Sequence, residues 1–146
     1  MSKSLSDVSS RQNEVSRFLK FAVIGAIGAV VDFSVLNLMI LGFGWTEFFA
    51  NLLSVSCAIV SNFIWNRLWT FPESRERPLH TQFGQFAAVN AVGLVINQFV
   101  FLTTHAVVFS RFVGPPLNYN LAKATAIIVV LFWNFGANRL WTYRGI

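Results

Sequence analysis

Residues 62–71 read Asn-Phe-Ile-Trp-Asn-Arg-Leu-Trp-Thr-Phe, and residues 134–143 read Asn-Phe-Gly-Ala-Asn-Arg-Leu-Trp-Thr-Tyr. The two stretches lie 72 residues apart in a chain of 146 and share seven of ten positions. Each ends a long apolar run. Self-similarity at half the chain length marks an internal duplication. A fold compatible with it must place the same element, ending in the same polar motif, twice. Asn, Arg and Trp at the end of an apolar run suit the boundary between a bilayer and water.

Four runs are long enough to cross a bilayer, which needs about 20 apolar residues as a helix. They are Phe21 to Leu41, about Phe48 to Trp65, about Phe83 to Val108, and about Leu121 to Trp141. Gly42-Phe43-Gly44, Pro72 and Gly114-Pro115-Pro116 interrupt them. Lipid leaves backbone groups no partner but one another, so the spans are helices. Only 12% of residues are charged against 55% hydrophobic, where soluble domains carry about 25% charged residues. The expected fold is all-α and integral to the membrane, with four transmembrane helices forming two parallel two-helix repeats. Repeat one covers about residues 17–71 and repeat two about 82–143, within a membrane domain at 17–146. Residues 1–16 are polar and Ser-rich and read as a flexible cytoplasmic tail.

The duplication extends to Phe18-x-x-Phe21-Ala22 and Phe83-x-x-Phe86-Ala87, at an offset of 65. That offset pairs Gly28 with Gly93 and Asp32 with Asn97. Each unit holds two spans, so both insert the same way, about a pseudo-twofold along the membrane normal. Nine Lys and Arg residues, including Arg17, Lys20, Arg67 and Arg139, fall on one side of such an arrangement, against Arg111 and Lys123 on the other. The positive-inside rule places both termini in the cytoplasm. The net charge of +5 flanks spans rather than forming a basic, aromatic-interleaved surface, which argues against nucleic acid.

Asp32 lies near the middle of the first span, where a carboxylate is costly. It reads as a proton site or cation partner in a cavity, or as a hydrogen-bonded tie between helices. Gly25 and Gly28 share its face and favour close helix packing. Asn51, Ser54, Ala58, Asn62 and Asn66 form one face of the second span, and Lys123, Asn134 and Asn138 one face of the fourth. Such stripes line a hydrated path or bind helices together. Arg67 and Arg139 end their spans with planar five-donor forks suited to phosphate, or act as anchors that snorkel to lipid. Trp69 and Trp141 read as interfacial anchors. Lys123 lies within the fourth span, roughly 10 Å in depth from Asp32. Neither His80 nor His105 receives a role. Cys57 has no intrachain partner, so neither a disulfide nor a Cys/His metal site is expected. No nucleophile stands beside a base, and Asp32 is the lone membrane acid, too little for acid–base catalysis. The reading is of a non-enzyme without metal or cofactor.

Arg17-Phe18-Leu19-Lys20-Phe21-Ala22-Val23-Ile24-Gly25, the central Asp32, Leu121-Ala122-Lys123 and the doubled N-F-x-x-N-R-L-W-T-[FY] together resemble the GtrA-like family of small four-span bacterial membrane proteins. The resemblance covers Arg17 to Arg144. It implies translocation of a polyprenyl-phosphate-linked sugar across the bacterial cytoplasmic membrane for cell-surface polysaccharide synthesis, beside a polyprenyl-phosphate glycosyltransferase. On that reading Arg67 and Arg139 receive phosphate inside, Lys123 receives it outside, and Asp32, Asn97 and the Asn stripes pass the sugar. Two alternatives stand beside it: a non-transporting subunit that anchors or activates the transferase, and, more weakly, a small multidrug-type exporter, which the cations disfavour. Four helices make a thin wall for such a path, so a homodimer in membrane lipid is expected, with the Gly25/Gly28 face as a candidate seam.

Overall fold

The computed structural model describes residues 2–115 and 117–146; the side chains of residues 2–5, 47, 48, 119 and 123 lie outside the description. Four long helices carry the chain: α1 (Ser2–Asn37), α2 (Glu47–Trp65), α3 (Leu79–Thr103) and α4 (Leu117–Ala137). All the described regular structure is helical. With their flanking turns, the stretches Ser6–Gly42, Phe49–Thr70, Leu79–Phe112 and Asn120–Thr142 are each long and apolar enough to cross a membrane. The polar stretch expected as a flexible tail is helical from Ser2 and continuous with the first span. No Pro or Gly separates them, and a helix already nucleated by the apolar span propagates at little cost.

Each long helix is followed by a π-helical turn: Leu38–Gly42, Asn66–Thr70, Thr104–Phe109 and Asn138–Thr142. α1 stops at Gly44, whose φ of +68° suits a residue without Cβ. There the amides of Gly44 and Trp45 take up the carbonyls of Ile40 and Met39, at 3.2 and 2.9 Å, so the helix end keeps its hydrogen bonds. α2 ends as the sequence predicts, ahead of Pro72: Phe71 leaves helical geometry (φ −128°, ψ 64°) and Pro72 opens a 3₁₀ turn to Glu76. Ser74 closes that turn by donating its hydroxyl to the Phe71 carbonyl at 2.6 Å.

The chain divides into two compact units, one through Leu79 together with Ile146, the other His80–Gly145. In the first, α1 packs along α2, and the buried positions of α1 are Phe21, Ile24 and Gly28. In the second, α3 buries Phe86, Val89 and Gly93, the same positions moved by 65. Opposite them, Ala50, Ser54, Asn66, Thr70 and Phe71 are buried in the first unit. Ala122, Ala126, Asn138, Thr142 and Tyr143 are buried in the second, the same positions moved by 72. Both offsets found in the sequence therefore reappear in these buried positions, although Phe63, Gln82 and Asn118 are buried without their mates Phe135, Arg17 and Thr46. Outward faces stay apolar (Val95 and Phe99 on α3, Ile127 and Phe132 on α4 are all exposed), as lipid-facing surfaces are.

Candidate functional site

Asn51 is exposed, but the rest of the polar stripe of α2, from Ser54 to Asn66, is turned inward, and Asn62 lies against α1. Asn62 is half-buried with its amide against Gly28, and its Oδ1 is buried with no hydrogen-bond partner. A Cβ at Gly28 would fall 2.7 Å from Asn62 Nδ2 and 2.8 Å from its Cγ. The second unit repeats the arrangement. A Cβ at Gly93 would fall 2.6 Å from Asn134 Oδ1, which is likewise buried without a partner. Gly28 and Gly93 are thus the seats of the two amides. Gly25, by contrast, has open space around its Cα. The expected pairing of Gly25 with Gly28 as one packing face is corrected accordingly: Gly28 is occupied within its own unit and is not available as a homodimer seam.

One turn further, Asn66 donates Nδ2 to the Asn62 carbonyl at 2.9 Å, and Asn138 donates Nδ2 to the Asn134 carbonyl at 2.8 Å. Side-chain competition for the i−4 carbonyl loosens an α-helix, and both π turns begin at these asparagines. The ladder re-forms one residue wider, with Phe71 N on Asn66 O and Tyr143 N on Asn138 O, both at 2.8 Å. Each copy of Asn-Arg-Leu-Trp-Thr thus forms a wound-out turn, as other sequences do after α1 and α3; such turns often mark functional positions. The hydrogen bonds of the stripe run within the helix rather than between helices. The two motifs differ in their threonines: Thr142 donates its hydroxyl to Asn138 Oδ1 at 2.7 Å, whereas Thr70 Oγ1 and Asn66 Oδ1 are both buried and unpartnered.

The arginines of the motif turn back on the chain. Arg67 donates Nη2 to the carbonyls of Arg75 and Arg77, at 2.8 and 3.0 Å. Arg139 donates Nη1 to the Tyr143 carbonyl at 2.9 Å. Each braces the chain after its helix, where carbonyls lack helical donors and cations are favoured. Trp69 and Trp141 stand about half exposed, and Lys20 Nζ lies 5.6 Å from the centre of the Trp69 ring. Sequence reasoning left Arg17 as a mere flanking cation. Here it pairs with Glu73 at 3.2 Å and lies 5.2 Å over the ring of Phe71, tying α1 to the turn after α2. Its place beside the span was visible; its partner 56 positions away was not.

Asp32 is half-buried, and no hydrogen bond or ion pair joins it to another described residue. Because Gly28 faces Asn62 in an antiparallel helix pair, Asp32 stands one turn nearer the Gly42–Thr46 connection, level with the small Ala58. Asn97 is half-buried at the matching position of α3. Lys123 falls in helical backbone on α4, with its side chain outside the described residues. The structure therefore brings together Asn62 with Asn66, and Asn134 with Asn138, within single units. Among the described residues no group of three His, Cys, Asp or Glu could hold a metal ion.

Helices of this length and apolarity, arranged in units with buried amides at their core, define a multi-pass, all-helical membrane protein. Residues 20–143 match the model of the GtrA/DPMS transmembrane domain, and the chain belongs to that family. Over 90 residues it is 29% identical to a dolichol-phosphate mannosyltransferase of Pyrococcus furiosus. The aligned stretch is 62% of this chain and 25% of that protein, so the chain spans about a quarter of that relative's length.

Proposed function

We propose that the protein translocates a polyprenyl-phosphate-linked sugar across the bacterial cytoplasmic membrane, serving cell-surface polysaccharide synthesis. The observation that carries this reading is Asp32: a carboxylate in mid-span, half-buried, and uncommitted to any described neighbour. A group so costly in lipid is retained where it meets water or a polar cargo. Within the same unit Asn62 and Asn66, nearer the Trp69 end of α2, grade the polarity along the path of a sugar, and Asn97, Asn134 and Asn138 repeat that grading in the second unit. Membership of the GtrA/DPMS family and likeness to a dolichol-phosphate mannosyltransferase support a lipid phosphate as carrier. Lys123 supplies a cation for that phosphate on the outer side. The duplicated sequence and the Lys/Arg bias support two helix pairs inserted in one direction, both termini in the cytoplasm, and a homodimer would thicken the wall of the path. The protein itself performs no bond chemistry and works beside a polyprenyl-phosphate glycosyltransferase. The test is transport by an Asp32→Asn variant that inserts normally; undiminished transport removes Asp32 from the mechanism.

A second reading is favoured by a specific observation. Arg67 and Arg139 are engaged with backbone carbonyls, which suits scaffolding better than phosphate capture. On this reading the protein is a membrane subunit that anchors or activates the transferase. Stimulation of a transferase by a protein that moves no lipid-linked sugar would select it.

A further inference from the structure

Where α1 enters its apolar run it carries two cations three residues apart, Arg17 and Lys20. Residues at that spacing are neighbours on one helix face, about 5–6 Å apart at Cβ. Each cation rests on an aromatic ring at the end of the first repeat. The Arg17 guanidinium lies 5.2 Å from the centre of the Phe71 ring, and Lys20 Nζ lies 5.6 Å from that of Trp69. These contacts hold both charges in place beside the tryptophan that marks the membrane boundary.

The acid that Arg17 holds is exchangeable. Its Nη2 meets Glu73 Oε1 at 3.2 Å, a single contact to a side chain that is 56% exposed, and such pairs are weak. Its Nη1 donates to the Ile146 carbonyl at 2.8 Å and so fixes the other arm of the fork. No ion pair joins Lys20 to a described residue. Arg67 and Arg139, by contrast, are held by backbone carbonyls.

The duplication shows that the fold does not demand these two charges. Moved by 65, Arg17 becomes Gln82 and Lys20 becomes Gln85, so the second unit builds its helix pair with neutral amides there. Anchoring a span at the interface would call for cations in both copies; cations in the first alone point to an anion that binds there. The neighbouring Leu19 and Val23 are exposed and apolar, as lipid-facing side chains are, so that anion is one whose tail lies in the bilayer.

Resting on the reading of a polyprenyl-phosphate-linked sugar as cargo, we propose that Arg17 and Lys20 form the inner receiving site for its phosphate. Arg17 Nη2 leaves Glu73 for one phosphate oxygen, and Lys20 Nζ takes another. The inner phosphate contact then falls to α1 rather than to Arg67 and Arg139.

The test titrates the full-length protein, in zwitterionic detergent, with a polyprenyl-phosphate-linked hexose and measures retained lipid by native mass spectrometry, with phosphatidylglycerol as the comparison probe. Arg17→Gln combined with Lys20→Gln is expected to weaken retention of the hexose lipid about tenfold or more. Glu73→Gln, which frees Arg17, is expected to strengthen it about two- to fivefold, a gain that neither misfolding nor a merely structural ion pair produces. Equal retention by the double variant, or no gain in Glu73→Gln, overturns the proposal. Phosphatidylglycerol retained as well as the hexose lipid overturns it in favour of an anchor for bulk lipid. No retention by an unaltered protein that does transport the cargo overturns the site and leaves the translocator reading standing. Retention lost in the double variant, from a protein that transports nothing, sinks the translocator reading and leaves the site standing.

Discussion

At the scale of the residue, the informative pairs are Gly28 with Asn62 and Gly93 with Asn134. A methyl group at Gly28 meets the Asn62 amide below contact distance, while one at Gly25 meets nothing within 4 Å. Gly28→Ala is therefore expected to be less stable than Gly25→Ala by about 1–3 kcal/mol, the usual cost of overpacking. In an Asn62→Ala background the difference should vanish; detergent-phase unfolding of the four variants measures it. Arg67 makes a comparable case. Its Nη2 alone holds both the Arg75 and the Arg77 carbonyl, so Arg67→Ala, which removes both bonds, should lower stability by about 1–2 kcal/mol. A variant as stable as the parent but unable to transport would return Arg67 to the substrate path.

At the scale of the element, the two π turns of the repeated motif, after α2 and α4, have one sequence but different side-chain hydrogen bonding. Thr142→Val removes a bond and strands the buried Asn138 Oδ1, which should cost about 1–3 kcal/mol. Thr70→Val removes a hydroxyl that bonds to nothing and should cost under about 1 kcal/mol. Equal melting losses in the two variants would show that the units are equivalent at this point. Much of the element layout was legible beforehand. Apolar length gave the spans, and Gly42–Gly44 and Pro72 gave their ends. The π turns were not legible, because Asn-Arg-Leu-Trp-Thr carries no periodicity that separates i−4 from i−5 bonding. Nor was the fate of Arg67: end-of-span position fits a phosphate, a lipid or a backbone carbonyl equally, and only the path of the chain through Arg75 and Arg77 chooses among them. The helical state of residues 2–16 escaped notice because polar composition suggests a tail, while continuity with an apolar helix decides otherwise.

At the scale of the whole molecule, each helix pair holds its amides inside and its apolar side chains outside, as a protein dissolved in lipid must. Polar groups at graded depths carry the proposal of sugar movement, with Asp32 at its centre and Asn97 its uncharged counterpart. That asymmetry predicts unequal roles. Asp32→Asn should slow transport about tenfold or more with insertion intact, since one lost charge-assisted contact is worth about 1.5–3 kcal/mol. Asn97→Asp should not compensate for it. The most direct measurement is the sidedness of a polyprenyl-phosphate-linked sugar in proteoliposomes holding this protein alone, followed by an impermeant sugar-oxidising reagent. The account predicts faster access to the inner-leaflet pool than in protein-free vesicles, lost in Asp32→Asn. Access no faster than in protein-free vesicles, from protein shown to be inserted and folded, would contradict it.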